Sequence, residues 1–273
     1  NELNNKVEFI KQYEEVDGNF PNGIPNPLDP GMRQPTTNKV IAEKADFGCA
    51  FDGDFDRCFF FDENGAFIEG EYMVALFASW FLKIQKNAKI IHDSRVVWNI
   101  KDTIQKFCGE SILSRTGHAY FKQRMRQSGA LYGGEMSAHH YFRDFYCCDS
   151  GIIPLMLLIE ILSNKKTPLS KVVQEMKRKF PSSGEINYSI KDKESAIGKL
   201  DQFFRCKAIS VDDLDGLSFE FEKWRFNVRQ SNTEDLLRIN IETKGSRRLL
   251  EEKLDLIESV LTAKNKPIQR SIS

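Results

Sequence analysis

The sequence lacks a net charge and any long apolar run. Among its 273 residues, 39 lysines and arginines balance 39 aspartates and glutamates, so the formal charge at pH 7 is zero. This balance gives no electrostatic attraction to nucleic acid or to a membrane surface. The most apolar predicted helix, 73–82, is much shorter than the ~20 residues that cross a bilayer. We therefore expect a soluble protein that binds no nucleic acid and no membrane.

The chain also lacks a cysteine framework, a secretion signal and an initiator methionine. Its six cysteines form no C-x-x-C pair, and three of them lie in apolar runs typical of strands. Residues 1–19 carry charges throughout and have no apolar central region. These features predict a reduced, cytoplasmic protein. Because the first residues resemble the middle of a protein, we also expect a further segment before Asn1.

Helix and strand patterns alternate three times between residues 71 and 132. This spacing indicates crossover units on a mostly parallel sheet covered by helices, where ligands bind at the carboxyl ends of the strands. The predicted fold class is α/β. It consists of three-layer α/β/α mixed-sheet domains followed by a smaller α+β C-terminal domain with a helix packed on an antiparallel sheet. The predicted domains are 1–68, 69–180 and 185–273, and the F-P-S-S-G stretch at 180–184 is typical of a linker.

Within the last domain, residues 224–229 alternate between apolar and polar side chains. Three apolar side chains share one face: Trp224, Phe226 and Val228. Three polar side chains share the other face: Arg225, Asn227 and Arg229. Alternation of this kind predicts a strand with one packed face and one face in contact with water.

Three carboxylates occupy alternate positions directly after a predicted strand: Asp52, Asp54 and Asp56. In a tight loop their oxygens can converge on a hard cation such as Mg²⁺, which leaves coordination positions open for a phosphate. Two alternatives stay open. An EF-hand would place Glu63 at loop position 12 but Arg57 at position 6, where glycine is required. A solvated acidic turn would need no metal.

A second polar cluster, G-G-E-M-S-A-H-H at 133–140, also follows a strand. Glu135 and Ser137 alternate, so both can bind neighbouring hydroxyls of a sugar, while His139 can contact a phosphate or transfer a proton. Arg115 to His118 opens a helix, and His118 is placed there to meet an anion. An ordinary surface turn at the histidine pair, and a Thr cap with a Gly turn at 116–117, are the alternatives.

A third cluster, R-Q-S-N-T-E at 229–234, joins two predicted strands. Its donors are one guanidinium, two hydroxyls and an amide: Arg229, Ser231, Asn232 and Thr233. Such a density of donors is typical of a site for a tetrahedral oxyanion, and phosphate is the natural ligand. A polar hairpin turn explains the same residues equally well.

In combination, these segments resemble the α-D-phosphohexomutases, and within them the phosphomannomutase/phosphoglucomutase branch. The metal-binding loop of that family reads D-G-D-x-D-R, which matches 52–57. Its sugar-binding loop reads G-E-M-S-x-H, which matches 134–139, and its phosphate-binding loop reads R-x-S-N-T, which matches 229–233. The T-G-H at 116–118 also fits a segment of the family's active site. The motifs occur in the same order, and the resemblance covers nearly the whole chain.

The resemblance implies a four-domain enzyme that interconverts hexose 6-phosphates and hexose 1-phosphates. A phosphoserine donates the phosphoryl group, and a hexose 1,6-bisphosphate is the intermediate and activator. On this basis one Mg²⁺ is held by Asp52, Asp54 and Asp56, and Arg57 steadies the group in transfer.

The resemblance also implies roles in substrate binding. Glu135 and Ser137 bind O3 and O4 of the sugar, and His118 and His139 serve proton transfer or phosphate contact. The non-reacting phosphate is held by four residues of the third cluster: Arg229, Ser231, Asn232 and Thr233. Arg95 takes a position near the substrate phosphate where related sequences often have Lys.

One family motif has no match. The nucleophilic serine lies in a T-A-S-H-N-P type loop, and no serine here precedes His-Asn-Pro. We therefore expect a chain that begins inside the second domain, lacks the N-terminal domain of the same polypeptide and is inactive alone. Met136 favours phosphomannomutase activity over phosphoglucomutase, dual-specificity or phosphoglucosamine mutase activity. The alternative outside the enzymes is a non-catalytic sugar-phosphate binding paralogue.

Overall fold

The computed structural model describes residues 7–164, 167–231, 235–262 and 270–272. Its first part forms a small antiparallel sheet beside one helix. The helix is α1 (Gln34–Glu43), and the strands are β1 (Gly48–Phe51), β2 (Cys58–Phe61) and β3 (Phe67–Ile68). The sheet order is β1-β2-β3, so the acidic loop 52–57 joins two neighbouring strands.

The second part is a five-stranded mixed sheet with helices. Its elements are α2 (Gly70–Ile84), β4 (Lys89–Asp93), α3 (Trp98–Lys106), β5 (Glu110–Ser114), α4 (His118–Ser128), β6 (Tyr132–Gly134), β7 (His140–Phe142), β8 (Cys148–Asp149), α5 (Ile152–Asn164) and α6 (Leu169–Lys179). The sheet order is β5-β4-β6-β7-β8. The first three strands are parallel, whereas β7 and β8 run antiparallel to their neighbours. The polar loops therefore follow parallel strands at one edge of this sheet.

The third part is a six-stranded antiparallel sheet with two helices. Its elements are β9 (Ser182–Tyr188), α7 (Lys193–Phe204), β10 (Ser210–Asp212), β11 (Leu217–Glu220), β12 (Trp224–Gln230), β13 (Leu237–Thr243), α8 (Arg247–Thr262) and β14 (Arg270–Ile272). The sheet order is β10-β11-β12-β13-β9-β14. The predicted fold class is thus confirmed. Among the described residues, no helix is both long and apolar enough to cross a membrane.

Two main cores hold these parts together. The first joins the small sheet to the second part, because Phe60 of β2, Phe77 of α2 and Leu158 of α5 belong to one buried cluster. The rings of Phe60 and Phe77 meet edge to face with centroids 5.9 Å apart. The second core lies under the antiparallel sheet and includes Phe226 and Ile257. The strands that flank the acidic loop 52–57 are therefore anchored on the same core as the second sheet.

The predicted linker at 180–184 is wrong, because its last three residues begin β9. Ser182 pairs with Glu242 of β13, and the register shifts between Asn240 and Glu242. Gly184 has a φ of +66° at this irregularity. Residues typical of turns are accommodated in a strand where a bulge interrupts the ladder.

The prediction of a water-exposed face on β12 is also wrong. Arg225, Asn227 and Arg229 are 4%, 0% and 5% exposed. Arg225 donates hydrogen bonds from Nη2 to the carbonyl of Ser94 at 3.0 Å and from Nη1 to that of Arg95 at 2.9 Å. Alternation reveals that a strand has two unlike faces, but it does not reveal that the polar face is covered by another part of the chain.

Candidate active site

The carboxylates of the loop between β1 and β2 converge. Asp52, Asp54 and Asp56 each offer an oxygen, and these atoms lie within 4.8 Å of one another. Asp52 is 2% exposed. It accepts hydrogen bonds from the backbone N–H and the Nε–H of Arg57 at 3.1 and 2.6 Å. Because strands and not helices flank the loop, it does not have the geometry of an EF-hand.

The charges of this loop fit a divalent cation. Burial by itself raises the pKa of Asp52, but the hydrogen bonds from Arg57 outweigh burial and bring that pKa below its ordinary value. The pKa of Asp56 is raised by burial and by the nearby Asp52 and Asp54 carboxylates, against the opposing charge of His139. Oδ1 of Asp56 is buried and has no hydrogen-bond partner among the described residues. A cation such as Mg²⁺ would relieve the repulsion and give this oxygen a partner.

Glu135, in the loop after β6, is held in one orientation from two sides. It is 1% exposed. Its Oε1 accepts a hydrogen bond from the N–H of Gly117 at 2.9 Å, and its Oε2 accepts one from the hydroxyl of Tyr141 at 2.7 Å. Burial raises the pKa of Glu135, but the hydrogen bond and charge of His139, together with Arg95, outweigh burial and lower it. Glu135 is therefore an oriented, ionised hydrogen-bond acceptor.

His139 connects the acidic loop 52–57 to the loop that carries Glu135. Its Nε2 lies 3.5 Å from Oδ2 of Asp56, and its Nδ1 lies 3.3 Å from Oε2 of Glu135. The Oγ of Ser137 lies 3.1 Å from the same Nδ1. Burial lowers the pKa of His139, but the two carboxylates outweigh burial and raise it. The backbones of Arg57 and His139 also form an isolated β-bridge, so the two loops are fixed against each other.

A glycine that the sequence did not single out allows this loop to lie close to α2. A Cβ atom at Gly70 would lie 2.3 Å from the carbonyl oxygen of Met136. Real Cβ atoms do not approach backbone this closely, so only glycine fits at the start of the helix. Neither spacing nor composition of the sequence indicates this contact.

Arg95 is buried between the second and third sheets, and Asp93 positions it. Nη2 of Arg95 lies 2.6 Å from Oδ2 of Asp93. The same Oδ2 accepts a hydrogen bond from the N–H of Met136 at 2.9 Å. Asp93 thus joins Arg95 to the loop of Glu135. No sequence motif includes Asp93, and its place at the carboxyl end of a strand is the one signal in the sequence for a role in the site.

Arg229 is also buried, and it lies against Glu185. Its Nη2 donates a hydrogen bond to Oε2 of Glu185 at 2.9 Å. Ser231 follows, with its N–H bonded to the carbonyl of Leu236 at 2.9 Å. Two further predicted phosphate ligands, Asn232 and Thr233, lie outside the described residues. The sequence gives no signal for Glu185, because the residues before it, 182–184, are typical of a linker.

His118 begins α4 and is exposed, directly after the Gly117 that contacts Glu135. Gly117 has a φ of +119°, which favours glycine at this position. The preceding Thr116 donates hydrogen bonds from its N–H and its hydroxyl to Oδ2 of Asp215, at 3.1 and 2.6 Å. This segment therefore contacts both the loop of Glu135 and the loop between β10 and β11.

The contacts form a continuous path through the predicted site. At one end, carboxylates are arranged for a cation; at the other, buried arginines are arranged for an anion. Glu135 lies between them as an acceptor for hydroxyl groups. This order of groups is suited to a phosphorylated sugar whose phosphate lies near a metal ion.

Comparison with known families agrees with this arrangement. Three models of one family, described as phosphoglucomutase/phosphomannomutase, match the chain. Its alpha/beta/alpha domain II matches residues 1–65, its alpha/beta/alpha domain III matches 69–180, and its C-terminal domain matches 174–259. The chain belongs to the phosphoglucomutase/phosphomannomutase family. The resemblance read from the sequence motifs is thereby confirmed, while the boundaries at 68 and 185 stay predictions.

Individual members of the phosphoglucomutase/phosphomannomutase family match most of this chain. A phosphomannomutase from Vibrio cholerae is 51% identical over 261 residues, which are 95% of this chain and 56% of that protein. The structure of a family member from Burkholderia thailandensis matches with a TM-score of 0.82 and 30% identity, covering 95% of this chain and 56% of that one. The chain thus spans about half the length of the relatives it matches.

An N-acetylphosphoglucosamine mutase from Aspergillus fumigatus, solved in complex with GlcNAc-6P and magnesium, shares the fold. Its TM-score is 0.58 at 16% identity, and the match covers 79% of this chain and 48% of that one.

Proposed function

We propose that this chain carries the metal-binding, sugar-binding and phosphate-binding parts of a phosphomannomutase. The enzyme interconverts mannose 6-phosphate and mannose 1-phosphate. The observation that carries the proposal is the contact of His139 with Asp56 on one side and Glu135 on the other, at 3.5 and 3.3 Å. These contacts of His139 join the proposed cation site at Asp56 to Glu135, the proposed acceptor for sugar hydroxyls. The name of the Vibrio cholerae relative supports the same activity.

At the metal end, Asp52, Asp54 and Asp56 would hold Mg²⁺, the ion present in the Aspergillus fumigatus complex. When bound, the ion neutralises charge on the phosphoryl oxygens. Arg57 steadies the transferring group with those guanidinium N–H groups that Asp52 does not occupy. Because Asp52 holds Nε, the guanidinium is oriented before substrate arrives.

In the middle of the site, Glu135 and Ser137 bind O3 and O4 of the sugar. Glu135 is ionised and both of its oxygens are already oriented, so little reorganisation is needed on binding. The Glu135 carboxylate raises the pKa of His139, which contacts the phosphate or transfers a proton. His118, which is exposed at the start of α4, is the second residue that contacts the phosphate or transfers a proton.

At the anion end, the non-reacting phosphate is held by Arg95 and by four residues of the 229–233 loop: Arg229, Ser231, Asn232 and Thr233. Guanidinium groups suit phosphate because they offer paired, permanently charged donors. The reaction proceeds through a hexose 1,6-bisphosphate, which also acts as activator. Either of its phosphates occupies this end while the other reacts.

The donor of the phosphoryl group is a phosphoserine. None of the serines in these 273 residues lies in a Ser-His-Asn-Pro sequence. The proposal therefore assigns the phosphoserine to another part of the same polypeptide. These 273 residues alone bind Mg²⁺ and hexose phosphate weakly and catalyse no turnover.

The test is a coupled assay of mannose 1-phosphate conversion with the polypeptide encoded by the whole gene, beside the 273-residue chain. We expect turnover by the first and none by the second. Glucose 1-phosphate in the same assay tests for dual specificity. If the whole-gene product binds hexose phosphates but converts neither mannose 1-phosphate nor glucose 1-phosphate, the protein is a sugar-phosphate binding protein and not a mutase. Ordinary turnover by the 273-residue chain would contradict the assignment of the phosphoserine.

A further inference from the structure

Glu185 lies at the centre of three arginines. Its Oε2 accepts the hydrogen bond from Arg229 at 2.9 Å and lies 3.5 Å from Nη1 of Arg95. Its Oε1 lies 3.4 Å from Nε of Arg238. Arg95 follows β4, whereas Arg229 and Arg238 are direct neighbours across β12 and β13. The carboxylate of Glu185 thus contacts arginines from both sides of the boundary between the second and third sheets.

Arg229 brings to this cluster a donor that no described residue uses. Nε of Arg229 is buried and has no hydrogen-bond partner among the described residues. The pKa of Arg229 is lowered, first by burial and then by the charge of Arg95, against the opposing effect of Glu185. An arriving dianion would find an unused donor here.

The two carboxylates of the cluster differ in how easily they can be displaced. The side chain of Asp93 is 2% exposed and bonded to Met136, so it is fixed. The side chain of Glu185 is 15% exposed. A carboxylate that reaches water can be resolvated when it leaves its arginines, whereas a fully buried one would be left without a partner.

We propose that Glu185 is a positioning residue that competes with the substrate's phosphate for Arg95 and Arg229. This inference rests on the proposed function, in which these arginines receive the non-reacting phosphate. Before substrate arrives, Glu185 keeps the guanidinium groups ordered at one point. When the phosphate binds, Glu185 releases Arg229. Competition from Glu185 limits the affinity of the site for that phosphate. Limited affinity lets a bisphosphate intermediate leave this end and return with its other phosphate.

The first test is titration calorimetry of the 273-residue chain with inorganic phosphate at low ionic strength. Glu185→Gln removes the competing charge but keeps the size of the side chain, so we expect phosphate to bind about three- to tenfold more tightly. Glu220→Gln is the matched control. It removes one negative charge from β11 of the same sheet, where Oε1 of Glu220 accepts a hydrogen bond from Nε1 of Trp98 at 3.4 Å. We expect this control to bind like wild type.

Glu185→Asp keeps the charge, so its phosphate affinity should stay close to that of wild type. In the whole-gene product, Glu185→Gln should lower both KM and kcat, because the phosphate is held more tightly and released more slowly. Phosphate binding by Glu185→Gln that is no tighter than by Glu220→Gln, or no phosphate binding by any form, overturns the inference.

A second measurement needs no variant and decides the matter if Glu185→Gln does not fold. The ¹³C resonance of the Glu185 carboxyl group in the wild-type chain should shift as phosphate saturates the site. An unchanged resonance overturns the inference. Neither measurement depends on turnover, so failure of the competition and failure of the mutase activity are distinguishable.

Discussion

The carboxylate of Glu242 accepts a hydrogen bond from the backbone N–H of Val97, 2.7 Å away and 145 positions earlier in the chain. The next N–H, that of Trp98, donates to the other carboxylate oxygen at 2.9 Å. Arg225 completes the group at 2.8 Å from Glu242. A residue of the third sheet therefore caps α3 of the second part, directly after the loop that carries Arg95.

Glu242→Gln should destabilise the chain. The amide places a donor against a backbone N–H and leaves Arg225 buried without its counter-charge, which costs about 3 kcal/mol of unfolding free energy. Urea unfolding measures the effect. The control is Glu251→Gln, which removes an exposed pair with Arg247 at 3.7 Å and should change stability by less than about 0.5 kcal/mol. Equal urea midpoints for Glu242→Gln and Glu251→Gln would show that the cap contributes little to the free energy of unfolding.

Mg²⁺ should raise the melting temperature of the wild-type chain. At a hundredfold excess over Kd, a ligand that binds only the folded state adds about 2.7 kcal/mol to stability. Asp56→Asn should abolish most of this gain, because it removes a ligand from the only described group made entirely of three aspartates. Asp46→Asn, at an exposed position before β1, should retain the gain. Thermal scans with and without the ion compare the three proteins, and an unaltered gain in Asp56→Asn would contradict the metal site.

Tyr141→Phe should impair catalysis by the whole-gene product without removing any predicted substrate ligand. The hydroxyl of Tyr141 orients Glu135, and its loss should lower kcat/KM about three- to fifteenfold. Tyr132→Phe is the control, because it removes a buried hydroxyl that bonds to His140 at 2.6 Å and does not touch Glu135. We expect Tyr132→Phe to lose stability but not kcat/KM. Similar kinetics in the two variants would exclude a positioning role for Tyr141.

Glu71 should make stability depend on pH. It is fully buried in the first turn of α2, and burial, followed by repulsion from Glu69, raises its pKa from 4.5 to about 7. Because the pKa of Glu71 is higher in the folded state than in the unfolded state, Glu71 stabilises the fold at pH values below its unfolded-state pKa. This contribution is lost as the pH rises through 7. Glu71→Gln should therefore match wild type near pH 5 and exceed it by about 3 kcal/mol at pH 8.

Urea unfolding at both pH values tests this difference, with the exposed Glu160→Gln as control for a surface amide. A gap between wild type and Glu71→Gln that is the same at pH 5 and pH 8 would contradict the role of Glu71.

Local patterns in the sequence were enough to place most of the fold. The helices α2, α3 and α4 alternate with the strands β4, β5 and β6 over 70–134, as the pattern at 71–132 predicts. Each is determined by neighbours within a few residues, so periodicity predicts it. β9 was not predicted, because its bulge at 182–184 depends on pairing with β13, far along the chain.

The same limit applies to the site. The loops of Asp52 and Glu135 could be located because their ligand types are close together in sequence and follow strands. Asp93 and Glu185 could not be assigned, because each acts through an arginine that only the packed chain brings near. Glu185 and Arg95 are separated by a domain boundary, and no spacing rule connects them.

The core that Phe60 shares with Phe77 has a consequence for dividing the protein into fragments. A cut near residue 181 passes between the two main cores and leaves each with its own apolar partners. A cut near residue 69 passes through one core and strips the covering strands from α2. The sheet that presents the aspartates is therefore not a detachable module, and a fragment that keeps this sheet folded must retain residues 48–180 in one piece.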